Sequence, residues 1–212
     1  MSEHLNHLYS KKEERLNIIT HAFGLLLSSI GLLFLILKSF HYTGFCNPSS
    51  LVIYGLSLIV LYAASTFYHA AKDPQLRRKL NIFDHAAIYV LIAGTYSPFA
   101  MLVLEPTLGW IIFGLTWSFA LIGVVLKLFY TGRFDKLSTT VYLLMGWKVL
   151  FVIRPLMEQL SAESLQLLFV GGLFYSFGAV LYSLKKLPYN HALFHVFVVL
   201  GSVCHFFSVL GI

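Results

Sequence analysis

Seven stretches of about twenty mostly apolar residues run through this chain, at approximately 17–37, 51–71, 82–104, 108–130, 138–157, 164–184 and 190–210. A bilayer core about 30 Å thick demands about 20 helical residues per crossing, and each stretch meets that length. The composition agrees: 58% of the 212 residues are apolar and only 11% are charged, against about 25% charged in a soluble domain. Such a chain cannot solvate a water-facing surface. A soluble enzyme, a disordered tail, a collagen-like rod and a disulfide scaffold are all excluded. The expected fold is an all-α integral membrane protein, a seven-helix transmembrane bundle at 17–212 preceded by a cytoplasmic tail at 1–16.

Five prolines, Pro48, Pro74, Pro106, Pro155 and Pro188, fall at or between the span edges, where a missing amide hydrogen costs little. Pro98 is expected to be the one that interrupts a span, kinking the third helix at a packed or water-lined position. A polar segment and a full-length first span with no A-x-A pattern do not read as a cleaved signal peptide. Sorting the cations by side of the membrane gives the orientation. The N-terminal tail, the 2–3 connection, the 4–5 connection with its flank and the 6–7 connection hold twelve of the fifteen Lys and Arg residues, while Lys38, Lys148 and Arg154 fall on the other side. The N-terminus is therefore expected in the cytoplasm and the C-terminus outside. The net charge of +6 becomes a matter of topology and anionic lipid, not of nucleic acid. Cys46 and Cys204 lie in unlike surroundings and are not expected to pair.

Ionisable groups inside spans are costly and need a reason. Because odd-numbered spans begin on the cytoplasmic side and even-numbered ones end there, His69, Asp84, His191 and His195 fall at one depth. The H-x3-H spacing of "HALFH" puts His191 and His195 on one helix face about 6 Å apart along the axis. Ser65 precedes His69 by the same four residues and faces the same space. Three neutral imidazoles with a fourth position open suit a catalytic zinc ion. A carboxylate at Asp84 would balance the +1 charge of zinc with a bound hydroxide. The spacing is equally compatible with histidines that are separately hydrogen-bonded.

The remaining histidines sort by position. His4, His7 and His41 lie in polar segments. His85 is about 100° round the helix from Asp84 and is read as structural. His21 shares the depth of the cluster, as a support to it or as a packing or capping residue. His205 lies about 21 Å along the axis from His191 and cannot join it. Arg154 can snorkel, and Lys148 either lines an internal cavity or meets a lipid headgroup. Gly24, Gly31, Gly114, Gly123, Gly171, Gly172 and Gly178 are expected at close helix crossings.

The motifs S-x3-H in "STFYH", the aspartate of "FDHAAIYVLIAGTYSPF" and H-x3-H in "HALFHVFVVLGSVCHF", in this order on seven spans, resemble the bacterial hemolysin III family. That family is a branch of the progestin and adipoQ receptor superfamily, related to the alkaline ceramidases, and the likeness runs from about residue 17 to the end. The resemblance implies a zinc ion near the cytoplasmic side held by His69, His191 and His195, with Asp84 holding its water and Ser65 donating to a substrate carbonyl. It implies residence in the bacterial cytoplasmic (inner) membrane and a zinc-dependent hydrolase of a lipid amide or ester. A different class of function, a cytolytic or pore-forming protein or a regulator of membrane state with structural zinc, stands as the alternative. The long N-terminal extension of the receptors is missing from this chain, which speaks against a hormone-receptor role.

Overall fold

The computed structural model describes residues 9–44 and 46–212. His4 and His7 lie outside the described residues, as does the side chain of Cys46; among the described residues Cys204 is a free thiol. The protein is all helical, with α1 (Lys11–Ser39), α2 (Cys46–Ala70), α3 (Pro74–Pro98), α4 (Pro106–Tyr130), α5 (Asp135–Trp147), α6 (Ile153–Gln159), α7 (Ala162–Ser183) and α8 (Asn190–Leu210). Seven spans in these residues are long and apolar enough to cross a membrane, α5 and α6 together forming the fifth, Lys136–Gln159.

Helix starts follow local chemistry. Ser10 caps α1 by accepting a hydrogen bond from the Glu13 amide at 3.2 Å, the geometry of an S-x-x-E capping box. The helix therefore begins at Lys11, inside the segment expected to be tail. Asp73 caps α3, accepting from Leu76 at 2.7 Å with Pro74 in the first turn. This start precedes the expected 82 by two turns and takes in Arg77. Glu105 caps α4, accepting from the amides of Thr107 and Leu108 at 3.0 and 3.1 Å. These bonds hold its carboxyl below the ordinary carboxylate range.

Pro98 is fully buried, and the third span continues past it as one π-helical stretch, Phe99–Val103. It has no amide hydrogen for the carbonyl of Gly94, and widening the following turn is a common response. The expectation that no other proline interrupts a span is corrected at Pro155. The fifth span tightens into a 3-10 turn over Lys148–Val152 immediately before α6. The proline ring crowds the carbonyl four residues back, at Phe151, and breaks the ladder there.

Helix α1 is built inside out relative to a helix of a soluble protein. On α1 the buried residues are Asn17, His21, Gly24, Ser28, Gly31, Leu35 and Ser39, while Ile19, Phe23, Leu26, Ile30, Leu33 and Phe34 are exposed. Small and polar residues let helices approach, and lipid tails are as apolar a partner as another leucine. At Gly94 a Cβ would stand 2.1 Å from Ser57 Oγ and 2.5 Å from Ser57 Cβ, so α2 and α3 touch backbone to side chain. Gly24, Gly31, Gly123, Gly171 and Gly178 lie against side chains of neighbouring helices as expected. Gly114 faces open space instead, and Gly172 meets Trp147 only at ordinary van der Waals distance. Lys148 does not line the cavity. Its ammonium donates to Thr116 Oγ1 at 2.5 Å and sits 4.8 Å from the Tyr96 ring and 5.7 Å from that of Phe119. Arg154 is exposed and pairs with Glu158 at 3.1 Å.

Helices α1 to α4 pack in chain order, α8 returns to α1, α7 packs on α8, and the fifth span bridges α7 and α3. This closed arrangement encloses a cavity of about 180 Å³. One end is walled by His21, Asp84, His85, His191 and His195, and the rest is mainly apolar and aromatic, including Leu104, Leu156 and Leu168.

Candidate functional site

His69, near the end of α2, meets His191 and His195 from the first two turns of α8, and one nitrogen from each ring lies within 4.8 Å of the others. All three are buried. His69 Nε2 and His191 Nε2 are 3.1 Å apart. Two nitrogens of a tetrahedral zinc site, each about 2.0–2.1 Å from the metal, stand about 3.3 Å apart. The third nitrogen, from His195, lies within 4.8 Å of both. The donor chemistry fits as well, since three imidazoles among mainly apolar surroundings can be ligands without protons to lose.

Contacts on the far sides of the rings fix their orientation. His69 Nδ1 is 2.7 Å from Glu14 Oε2, and His195 Nδ1 is 3.3 Å from the backbone oxygen of Asn17. An oxygen accepts from an Nδ1–H, so these contacts favour the tautomer that leaves Nε2 as the free lone pair. The ring of His21 stacks on His195 with centroids 3.5 Å apart and 10° between planes. His21 is thus a packing support for His195, with neither ring nitrogen hydrogen-bonded among the described residues.

Tyr189, in left-handed conformation at φ 56°, turns the chain into α8 immediately before Asn190 and His191. Tyr9 covers the cluster from the N-terminal side, its ring 4.8 Å from His191 and 5.8 Å from His69. Burial, reinforced by Tyr182 and Tyr68, holds its phenol far above the ordinary value.

Asp84 lies on the cavity wall with His191 and His195. Its polar surroundings are His85, His69 and the hydroxyl of Ser65. Ser65 is fully buried near that carboxyl, its hydroxyl has no hydrogen-bond partner among the described residues, and it is not part of the cavity wall. His85 lines the cavity, and its carbonyl accepts from Tyr142 at 3.0 Å. His205 is apart from the cluster, bonded through Nε2 to the Leu168 carbonyl at 3.0 Å, yet it borders the same cavity.

The sequence reading missed Glu14, Asn17 and Arg77. Glu14 pairs with both His69 and Arg77, although 1–16 was expected to be tail and Arg77 part of a loop. Two signals were present: the S-x-x-E box at Ser10 and the polar or small stripe Asn17, His21, Gly24, Ser28, which extends backward by three residues to Glu14.

The haemolysin-III-related family model matches residues 9–206. The chain is 45% identical over 203 residues to a Hemolysin-3 homolog of Bacillus subtilis, covering 96% of this chain and 95% of that protein. It is 41% identical over 199 residues to Hemolysin-3 of Bacillus cereus, covering 94% and 91%. A more distant relative is the human Monocyte to macrophage differentiation factor, 29% identical over 167 residues, covering 74% of this chain and 67% of that one. No solved structure matches the chain. With its seven spans, its buried histidine cluster and a family match along nearly its whole length, this multi-pass membrane protein belongs to the haemolysin-III-related family.

Proposed function

We propose that the protein is a zinc-dependent hydrolase of a lipid amide or ester, with His69, His191 and His195 as the metal ligands. The observation that carries this reading is the meeting of a buried three-histidine cluster with one end of an apolar cavity whose wall also holds a carboxylate. A zinc ion held there supplies a Lewis acid for the scissile carbonyl and makes water acidic enough to attack near neutral pH. The chain's own residues do the rest. Asp84 orients the attacking water and takes its proton. Ser65, near Asp84 at rest, is the donor to the developing oxyanion. The apolar and aromatic wall accepts the acyl chain and keeps bulk water out.

In this reading the chain sits in the bacterial cytoplasmic membrane with residues 1–16 inside and the C-terminus outside. The support is that twelve of its fifteen cations belong to the side bearing the histidine cluster. Its partners are the bilayer and a lipid substrate, with no role for nucleic acid.

The test is turnover of long-chain lipid amides and esters by purified protein, wild type against Asp84→Asn and His69→Ala. Loss in both variants is expected, and equal turnover in all three refutes the proposal. A second reading, a cytolytic protein with structural zinc, is favoured by one observation, the printed name Hemolysin-3 of the Bacillus cereus relative. Dye release from liposomes separates the two. Leakage that survives removal of all three histidines would detach lysis from the metal site.

A further inference from the structure

We propose that Glu14 is a positioning residue for the metal cluster: it accepts the Nδ1 proton of His69, holds that ring with Nε2 turned to the cluster, and is itself anchored by Arg77. The inference rests on the metal reading above and extends it to a residue at the start of the first span.

The geometry sets a carboxylate behind one nitrogen of a histidine whose other nitrogen faces the cluster. Glu14 Oε2 is 2.7 Å from His69 Nδ1, on the side of the ring away from Nε2, which faces His191 Nε2 at 3.1 Å. Glu14 therefore cannot join the ligand set; it acts through His69. The other oxygen of Glu14 pairs with the Arg77 guanidinium, and that guanidinium lies 4.9 Å from the ring of Tyr68 and donates to the Ala71 carbonyl at 3.4 Å. Asn17 offers its amide to His69 Nδ1 only at 3.5 Å. The shorter, charged acceptor decides which tautomer His69 adopts.

Burial makes this arrangement more than a surface ion pair. The His69 side chain is 0% exposed, that of Glu14 17% and that of Arg77 18%. An exposed pair is worth little, because water and salt screen it and two long side chains lose freedom. Here Arg77 neutralises Glu14, so the carboxylate can be kept beside a buried ring without an uncompensated charge. The charge balancing the metal is left to Asp84. The same stretch of α1 serves a second ligand too: the Asn17 carbonyl lies 3.3 Å from His195 Nδ1. It thus reaches two of the three ligands, but only Glu14 does so with a charged acceptor on a ligand ring.

The experiment uses the full chain in detergent, with zinc affinity measured by competition with a chelator of known strength. Glu14→Ala is expected to weaken zinc binding by about 10- to 100-fold, the usual effect of removing a partner behind a metal-bound histidine. Glu14→Gln, whose amide oxygen still accepts from Nδ1, is expected to recover part of that loss. The metal-free protein should keep its thermal midpoint in the Gln variant. Affinity unchanged in Glu14→Ala overturns the inference. So does a loss in both variants that tracks an equal drop in the metal-free midpoint, since that marks a merely structural role. Independently of any variant, the histidine nitrogen spectrum of the wild type is expected to show His69 as the Nδ1–H tautomer; an Nε2–H tautomer overturns the inference alone. Wild-type protein that takes up no zinc at all overturns it together with the reading on which it rests.

Discussion

Truncating His191 to alanine tests the cluster directly. His191 contributes the nitrogen nearest His69, at 3.1 Å, and its Nδ1 has no hydrogen-bond partner among the described residues. No hydrogen bond on the far side of the ring is lost with it, only ring contacts with Tyr9 and Tyr182. The removed imidazole leaves two ligands, and two are too few for a tetrahedral zinc site. A protein site with four ligands binds zinc with about 10–16 kcal/mol, or about 2.5–4 kcal/mol per ligand. At about 1.4 kcal/mol per factor of ten, His191→Ala should weaken zinc binding by about 10²- to 10³-fold. The assay is chelator competition on detergent-purified protein, with metal content after dialysis as a second readout. His205→Ala is the control, since it also removes a buried imidazole on the cavity wall but lies about 15 Å along α8 from His195 and about 21 Å from His191. It should leave zinc affinity unchanged. Affinity within about threefold of wild type in His191→Ala, or equal losses in the two variants, would refute the argument that these nitrogens act as one ligand set.

Two further outcomes follow from packing and capping. Gly94→Val should destabilise the protein by about 1–3 kcal/mol, read as a lower unfolding midpoint in detergent, because its Cβ would stand 2.5 Å from Ser57 Cβ; Gly94→Ala combined with Ser57→Gly should restore most of the loss, and an unchanged midpoint in Gly94→Val would contradict the close crossing of α2 and α3. Glu105 accepts two amide hydrogens that favour its ionised form, so its folded-state value lies below the unfolded value of about 4.3. Its stabilisation of α4 is complete above that value and is lost as pH falls through the lower folded-state value. The amide resonances of Thr107 and Leu108 should shift with a midpoint below about 4.3, and should show no such transition in Glu105→Gln.

Seven spans and their order were legible because the bilayer imposes a length and an apolarity that a linear scan can read. Span edges were not, since the first turns of α1 and α3 are polar and escape a hydropathy scan. There the start is set by Ser10 and Asp73 as caps, and hydropathy carries no trace of a cap. The break in the fifth span was missed for a related reason. Pro155 stood near an apparent edge, and only the true end at Gln159 makes it interior.

The histidine cluster divides along the same line. Repeats of four residues at Ser65/His69 and His191/His195, with alternating helix direction, brought the three histidines to one depth before any coordinates. Depth alone could not say which of the polar residues there face one another. His21 shares that depth and stacks on His195 without belonging to the set. Lys148 turned away to Thr116, Tyr96 and Phe119 because helix rotation about its own axis is fixed by neighbours.

The sequence by itself determined the membrane class, the number of crossings and the residue types able to bind a metal. Those depend on composition and on periodicity along one helix, which are local quantities. Tertiary structure alone decided that α1 lies against α2 and α8, so that Glu14 reaches His69 and the Asn17 carbonyl reaches His195. It also decided that the cluster opens on an apolar cavity shared by α3, the fifth span, α7 and α8. Between helices the chain carries no pattern of its own; contact is chosen by how small and polar stripes nest, and that is a property of pairs of surfaces.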